Sequence, residues 1–243
     1  AYEEWRSLFE LGKLNEPQSA FFKTKPVEQL FDLSSDPHET LNLAGNQEYG
    51  AVLLSLRNRL TQKMNAIHDL SFYPENHMVK HALDDGIEFG QTHAEEIRLL
   101  QQTANLALLP FEQAEEKIRR AISHDSPLVR YWALTVCSSF GVKAKPLLKN
   151  TAPRLNDPDP LVRVRAAEFI ALVSGQDPRP TFYQVLNENN GELVSLITLN
   201  AAVLFHDMKN GYPFDVSQLK DPDGRNEVKR RLDYLAGRLK QKK

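Results

Sequence analysis

His77 and His81, four residues apart, are the first groups in this chain whose spacing could do chemistry. On one helix face they would form a metal pair, with Asp84, Asp85 or His93 as further ligands. Met78-Val79 stands where a zinc-protease helix carries its glutamate, and Asp84-Asp85-Gly86 reads as an ordinary turn, so no metal ligand is assigned. The single cysteine, Cys137, excludes an intramolecular disulfide and a thiolate metal cluster; within Leu134-Thr135-Val136-Cys137 it reads as a small buried hydrophobe. The sequence has no Ser-His-Asp grouping, nucleophile elbow or phosphate-cradling glycine loop. No catalytic and no cofactor-binding residue is therefore assigned. What remains is cationic: Arg130 and Arg163, and a basic run of Lys229, Arg230, Arg231, Arg238, Lys240, Lys242 and Lys243. That run could grip a polyanion, whereas a charge run is more often a solvated face whose cations favour the helix dipole.

The elements that position these groups read as mostly helical. Trp5, Leu8, Phe9 and Leu11 share one helical face, and Gly12 is a residue that commonly ends a helix. Asn15-Glu16-Pro17-Gln18 has capping-box spacing ahead of Phe21 and Phe22. In Pro26–Leu33 the residues Val27, Gln29, Phe31 and Leu33 alternate against Glu28, Leu30 and Asp32, which predicts the one strand of the sequence. Asp36-Pro37-His38-Glu39, an acid cap, a proline and a glutamate, predicts a helix or helical turn. From Glu48, Val52, Leu53, Leu56, Leu60, Met64 and Ile67 recur at three and four, a helix of about five turns. Residues 69–78 break the pattern and separate two expected parts, 1–70 and 71–243.

The second part repeats itself. Asp125-Ser126-Pro127-Leu128-Val129-Arg130 matches Pro158-Asp159-Pro160-Leu161-Val162-Arg163 at an offset of about 33 residues. A weaker third copy runs from Asn190 to Thr198, and an earlier degenerate pair lies between His93 and Ile122. Pro127 and Pro160 fit the first helical position, with Ser126 and Asp159 as caps. The pattern resembles the HEAT repeat, which implies paired helices stacked into an α-α superhelix. Arg130 and Arg163 would then either bond to Asp side chains of adjacent turns or stand solvated. After the turn Asp221-Pro222-Asp223-Gly224, Val228, Leu232, Leu235 and Leu239 line a basic helix that would cap the stack.

Composition narrows the partners. With 243 residues, 41% apolar content and a formal charge of -2, the chain can bury a real core but has no global basic field, so nucleic acid is not an expected partner. No apolar run approaches the roughly 20 residues of a membrane span. The start, Ala1-Tyr2-Glu3-Glu4-Trp5, lacks an initiator Met and any signal-peptide pattern, and is expected to be an internal point of something longer.

Lys25-Pro26-Val27-Glu28-Gln29-Leu30-Phe31-Asp32-Leu33-Ser34-Ser35-Asp36-Pro37-His38-Glu39-Thr40-Leu41-Asn42-Leu43-Ala44 resembles the closing signature of sulfatases: a Glu-Leu-Tyr-Asp-Leu strand, then Asn-Asp-Pro-x-Glu and Asn-Leu-Ala. Phe31 stands where tyrosine is usual. Trp5–Leu11, Gly12-Lys13-Leu14 and Gln18–Phe22 resemble the segment that precedes it in bacterial sulfatases with a helical extension. The resemblance covers about residues 2 to 67. It implies a parent that hydrolyses sulfuric esters on a sulfated carbohydrate, with a formylglycine made within a Cys/Ser-x-Pro-x-Arg motif beside a calcium ion. Neither part is in this chain: Cys137 is followed by Ser138-Ser139-Phe140-Gly141, and in Ser35-Asp36-Pro37-His38-Glu39 a glutamate replaces the arginine and would repel sulfate.

The expectation is thus a mainly α chain: a HEAT-like superhelix preceded by a small α/β remnant with one short strand. It would be the non-catalytic C-terminal portion of a sulfatase, partnered by the missing catalytic domain and a sulfated carbohydrate, with helical repeats shaping substrate access or assembly. The family resemblance implies a periplasmic or secreted parent. The alternative is an independent HEAT-like scaffold binding a protein or glycan. The open strand is expected to self-pair, or the chain before about residue 35 to be partly disordered.

Overall fold

The computed structural model describes residues 1–188, 190–208 and 210–238, and divides into two compact units, 1–63 and 64–243. Among the described residues it is mainly helical and contains no β-strand.

The first unit opens with α1 (Tyr2–Glu10) and α2 (Glu16–Ser19). Gly12 at φ 66° closes α1 as expected, with the Lys13 amide donating to Leu8 O over 2.9 Å. The capping box before α2 forms: Gln18 N donates to Asn15 Oδ1 (2.9 Å) and Asn15 N to Gln18 Oε1 (3.0 Å). The two helices bring Trp5 and Phe9 against Phe22 at centroid distances of 4.7 and 4.8 Å. α3 (Gly50–Ala66) follows, close to the expected helix. Glu28 reaches its Arg57 in an ion pair.

The strand expected at Pro26–Leu33 is not formed. Alternation orders side chains, but a strand needs a neighbouring backbone, and here a side chain takes that place. Asn42 Oδ1 accepts from Leu30 N (2.9 Å) and Ala44 N (3.0 Å), and one backbone bond, Leu43 N to Leu30 O at 2.8 Å, completes the pairing. The open edge expected to self-pair is consequently absent among the described residues. Asp36 does cap, accepting from Thr40 N and Leu41 N at 2.8 Å each, but it closes a turn and no helix, because Glu39 sits at φ 54°. Leu41, at the end of that turn, is exposed.

The second unit carries α4 (Glu75–His81), α5 (Gly86–Thr92), α6 (Ala94–Ala104), α7 (Phe111–Ile122), α8 (Pro127–Phe140), α9 (Leu148–Thr151), α10 (Pro160–Ser174), α11 (Arg179–Asn187), α12 (Glu192–Asp207) and α13 (Asn226–Leu235). Pro127 and Pro160 open α8 and α10, and Asp159 caps α10 by accepting from Leu161 N and Val162 N. The Ser126 side chain makes no such bond; its own amide donates to His124 Nδ1 at 3.0 Å. α8 packs on α10 and α10 on α12, while α7 and α11 pair with α8 and α12. Small Ala133 and Ala166, fully buried, allow the close approach.

α10 is apolar nearly all round because it lies between two cores. Val162, Ala166 and Phe169 face one built from α6, α7 and α8; Leu161, Val164, Ala167 and Ala171 face the other, built from α11, α12 and α13. Residues 69–78, read as the divide, hold Phe72 and Tyr73 inside the first of these cores, and Trp132 Nε1 donates to Phe72 O at 2.7 Å.

Candidate functional site

The groups singled out for chemistry are mostly occupied. His77 and His81 lie on α4 with ring centroids 4.6 Å apart, and Tyr73 stacks on His77 at 4.7 Å. Burial, helped by His81, lowers the His77 pKa, with Glu96 pulling the other way. Asp85 caps α5, accepting from Ile87 N at 3.0 Å and Glu88 N at 2.9 Å, and His93 stacks on Phe89 at 4.0 Å. Among the described residues no three or more His, Cys, Asp or Glu side chains converge as a metal ion would need. Cys137 is fully buried and burial alone pushes its thiol up to about 12, so it is inert as a nucleophile.

Arg130 and Arg163 both point inward. Arg130 donates from Nε to Asp157 Oδ2 (2.8 Å) and from Nη2 to Asp157 Oδ1 (2.7 Å), while its Nη1 reaches the carbonyls of His124 and Asp125, each at 2.8 Å. Arg163 grips Glu188, with Nη1 donating to Oε1 at 3.2 Å. The guanidiniums thus tie one repeated turn to the next, the second through a glutamate where an aspartate was expected. Burial works to raise the Asp157 carboxyl, yet the bonds from Arg130 and the Asp159 amide hold it below its usual value.

Of the basic run, Lys229 pairs with Asp233 (3.3 Å), Arg230 with Glu227 (3.9 Å), and Arg231 with Glu227 (3.3 Å) and Asn200 Oδ1 (2.9 Å). These cations face acids of their own helix, and Arg231 also the Asn200 amide of its neighbour α12. Leu239, Lys240, Lys242 and Lys243 lie outside the described residues.

The concave features of the second unit lie beside the turns that start α8, α10 and α12. One cavity of about 210 Å³ is lined by Asn76, His77, Glu96, Ser126, Tyr131 and Asp159. Acceptors dominate it: Asn76 Oδ1 is buried with no partner, and Glu96 Oε1 already takes the Tyr73 hydroxyl at 2.6 Å. A second, of about 420 Å³, shares Asn76 and Asp159 and adds Lys80 and Glu192. Such walls can receive a hydroxyl-rich molecule, but they pair no nucleophile with a base.

Sequence reading missed Arg165 and Glu168, an ion pair inside α10 that also reaches Tyr131 OH, with Arg165 Nη2 donating over 3.1 Å. Burial pushes the Glu168 carboxyl up against the pull of Arg165. The available signal was an Arg and a Glu three apart within a mostly apolar helix.

The formylglycine and calcium of the resembled family find no fit here. Cys137 lacks the flanking proline and arginine and is sealed in the core, and the carboxylates of Asp32 and Asp36 are spent on their own turns. No helix of the described residues is long and apolar enough to cross a membrane. No family model matches the chain, and no solved structure does. Over 69 residues, 28% of this chain, the sequence is 46% identical to an ulvan-active sulfatase of Formosa agariphila, and the match spans 12% of that protein's length. A stretch of this chain is thus related in sequence to a sulfatase, and the chain spans a small part of that relative.

Proposed function

We propose that the chain is the C-terminal, non-catalytic portion of a sulfuric ester hydrolase that acts on a sulfated carbohydrate. The observation that carries this reading is the first unit's lack of a core. Among its 63 residues only Ser19 is buried, while Val27, Leu33, Leu41, Val52, Leu56 and Leu60 are exposed. A catalytic domain of the same polypeptide would cover that face, and it would hold the formylglycine and the calcium ion. The helices of the second unit are then a HEAT-like α-α superhelix that shapes substrate access or assembly; the packing of α8 on α10 and of α10 on α12 supports this. The parent is proposed to be periplasmic or secreted.

The test is an assay of the purified chain on aryl sulfates and sulfated polysaccharides. No turnover is expected; turnover that survives repurification and metal stripping overturns the reading. A second reading, an independent scaffold binding a protein or glycan, is favoured by the cavities along the repeated turns. An in-frame Cys/Ser-x-Pro-x-Arg motif upstream of Ala1 distinguishes the first reading from it.

A further inference from the structure

The fourth residue of α8 is Arg130 and the fourth of α10 is Arg163, and each guanidinium crosses to a carboxylate in the next turn, 27 residues on at Asp157 and 25 residues on at Glu188. α12 starts differently, with Gly191 before it and Glu192 in place of the proline, and its fourth residue is Ser195, whose hydroxyl merely donates to Gly191 O at 3.1 Å. The same step from Ser195 falls on residues 220–222, where Asp221 supplies a carboxylate. One of its oxygens, Oδ1, accepts the Gly224 amide at 3.0 Å, which leaves Oδ2 available. The third rung therefore has its acceptor and lacks its guanidinium.

A cavity of about 440 Å³ has both Ser195 and Asp221 in its wall, over an apolar floor that includes Leu199, Val228 and Leu232. Its volume falls in the range of small-molecule sites. Two cations stand at it: Lys220, whose Nζ donates to Asn187 O at 3.1 Å, and the exposed Arg225. The carboxylates of Glu192 and Asp221 balance them, so no net positive charge turns a cation away.

We propose that this cavity binds a guanidinium group carried on an aliphatic stem, received by Asp221 as Arg130 is received by Asp157. The planar fork matches a carboxylate, and the methylenes match the floor. The preference should therefore be for guanidinium over ammonium.

The experiment is a heteronuclear NMR titration of the full chain with N-acetyl-arginine amide, run beside N-acetyl-lysine amide and inorganic sulfate. Saturable shifts at the amides of Ser195 and Gly224 are expected with the arginine compound, and weaker ones with the lysine compound. Asp221→Asn should weaken binding about tenfold or more, the loss of one charged hydrogen-bond partner. Ser195→Arg should place a guanidinium in cis, abolish probe binding and raise Tm. Absence of saturable shifts, equal binding of lysine amide or sulfate, or unchanged affinity in Asp221→Asn would overturn the assignment. Should Ser195→Arg fail to fold, Asp221→Asn alone decides.

Discussion

Asp157 ties the turn before α10 to the start of α8. Its side chain is fully buried and holds Arg130 by two bonds, Arg154 at 3.3 Å and the Asp159 amide at 3.1 Å. Removing the guanidinium leaves a buried carboxylate without its main counter-charge, which typically costs about 3–5 kcal/mol. Arg130→Ala should lose stability of that order in urea unfolding, whereas Arg230→Ala, an exposed partner at 3.9 Å, should change it by less than about 1 kcal/mol. The Asp157 pKa also gives a pH signature. Because the folded value lies below that of a free aspartate, the native chain holds fewer protons than the unfolded one at mildly acid pH. The Asp157 contribution is then complete above the unfolded value and fades as pH falls through the folded one. Wild-type unfolding free energy should fall more steeply below about pH 4 than that of Asp157→Asn, and equal slopes would contradict this.

At the scale of elements, the starts of the helices were legible because capping is local chemistry. Asn15-Glu16-Pro17-Gln18 and Asp159-Pro160 carry their own donors and acceptors within a few residues, and both form as read. Ser126 has the same cap chemistry, yet its side chain accepts no amide of the first turn of α8. The expected outcome is a contrast: Asp159→Ala should cost about 1 kcal/mol in urea unfolding, and Ser126→Ala close to nothing. The strand failed as an expectation for the opposite reason. Alternation at Val27–Leu33 is local, but its partner is a side chain 12 residues beyond Leu30, and nothing in the pattern announces that Asn42 will stand in for a backbone. Phe72 and Tyr73 were hidden in the same way: Pro74 and Asn76 dominate a short window, while the bond that fixes Phe72 comes from Trp132, 60 residues away. The candidate site was legible in part: an aspartate of the adjacent turn was expected for Arg130 and is there as Asp157, but nothing announced Glu188 for Arg163; Glu188 precedes α12 by a turn of different length and residue type from that around Asp157.

At the scale of the whole molecule, the two units should differ in how firmly they hold their backbone bonds. α3 is 17 residues long and buries none of them; Met64 in its last turn packs on the first core, but residues 50–63 have little beyond their own propensity and the Glu28–Arg57 pair to stabilise them. Isolated helices near that length are marginal in water. α8 and α10 instead bury Val129, Leu134, Val162 and Phe169 in cores shared with several neighbours. Native-state hydrogen exchange reads this difference directly, because an amide protected only by a local helix opens without global unfolding. Amides of α3 up to Lys63 should exchange orders of magnitude faster than those of α8 and α10, and Phe169→Ala, with its loss of about 3–5 kcal/mol, should accelerate α8 and α10 while leaving that part of α3 unchanged. The proposed role of the first unit adds a further expectation. In a polypeptide extended through the catalytic domain, covering Leu56 and Leu60 should slow α3 toward the rate of the core helices. Equal exchange of α3 in the short and extended chains would remove the reason for placing a partner on that face.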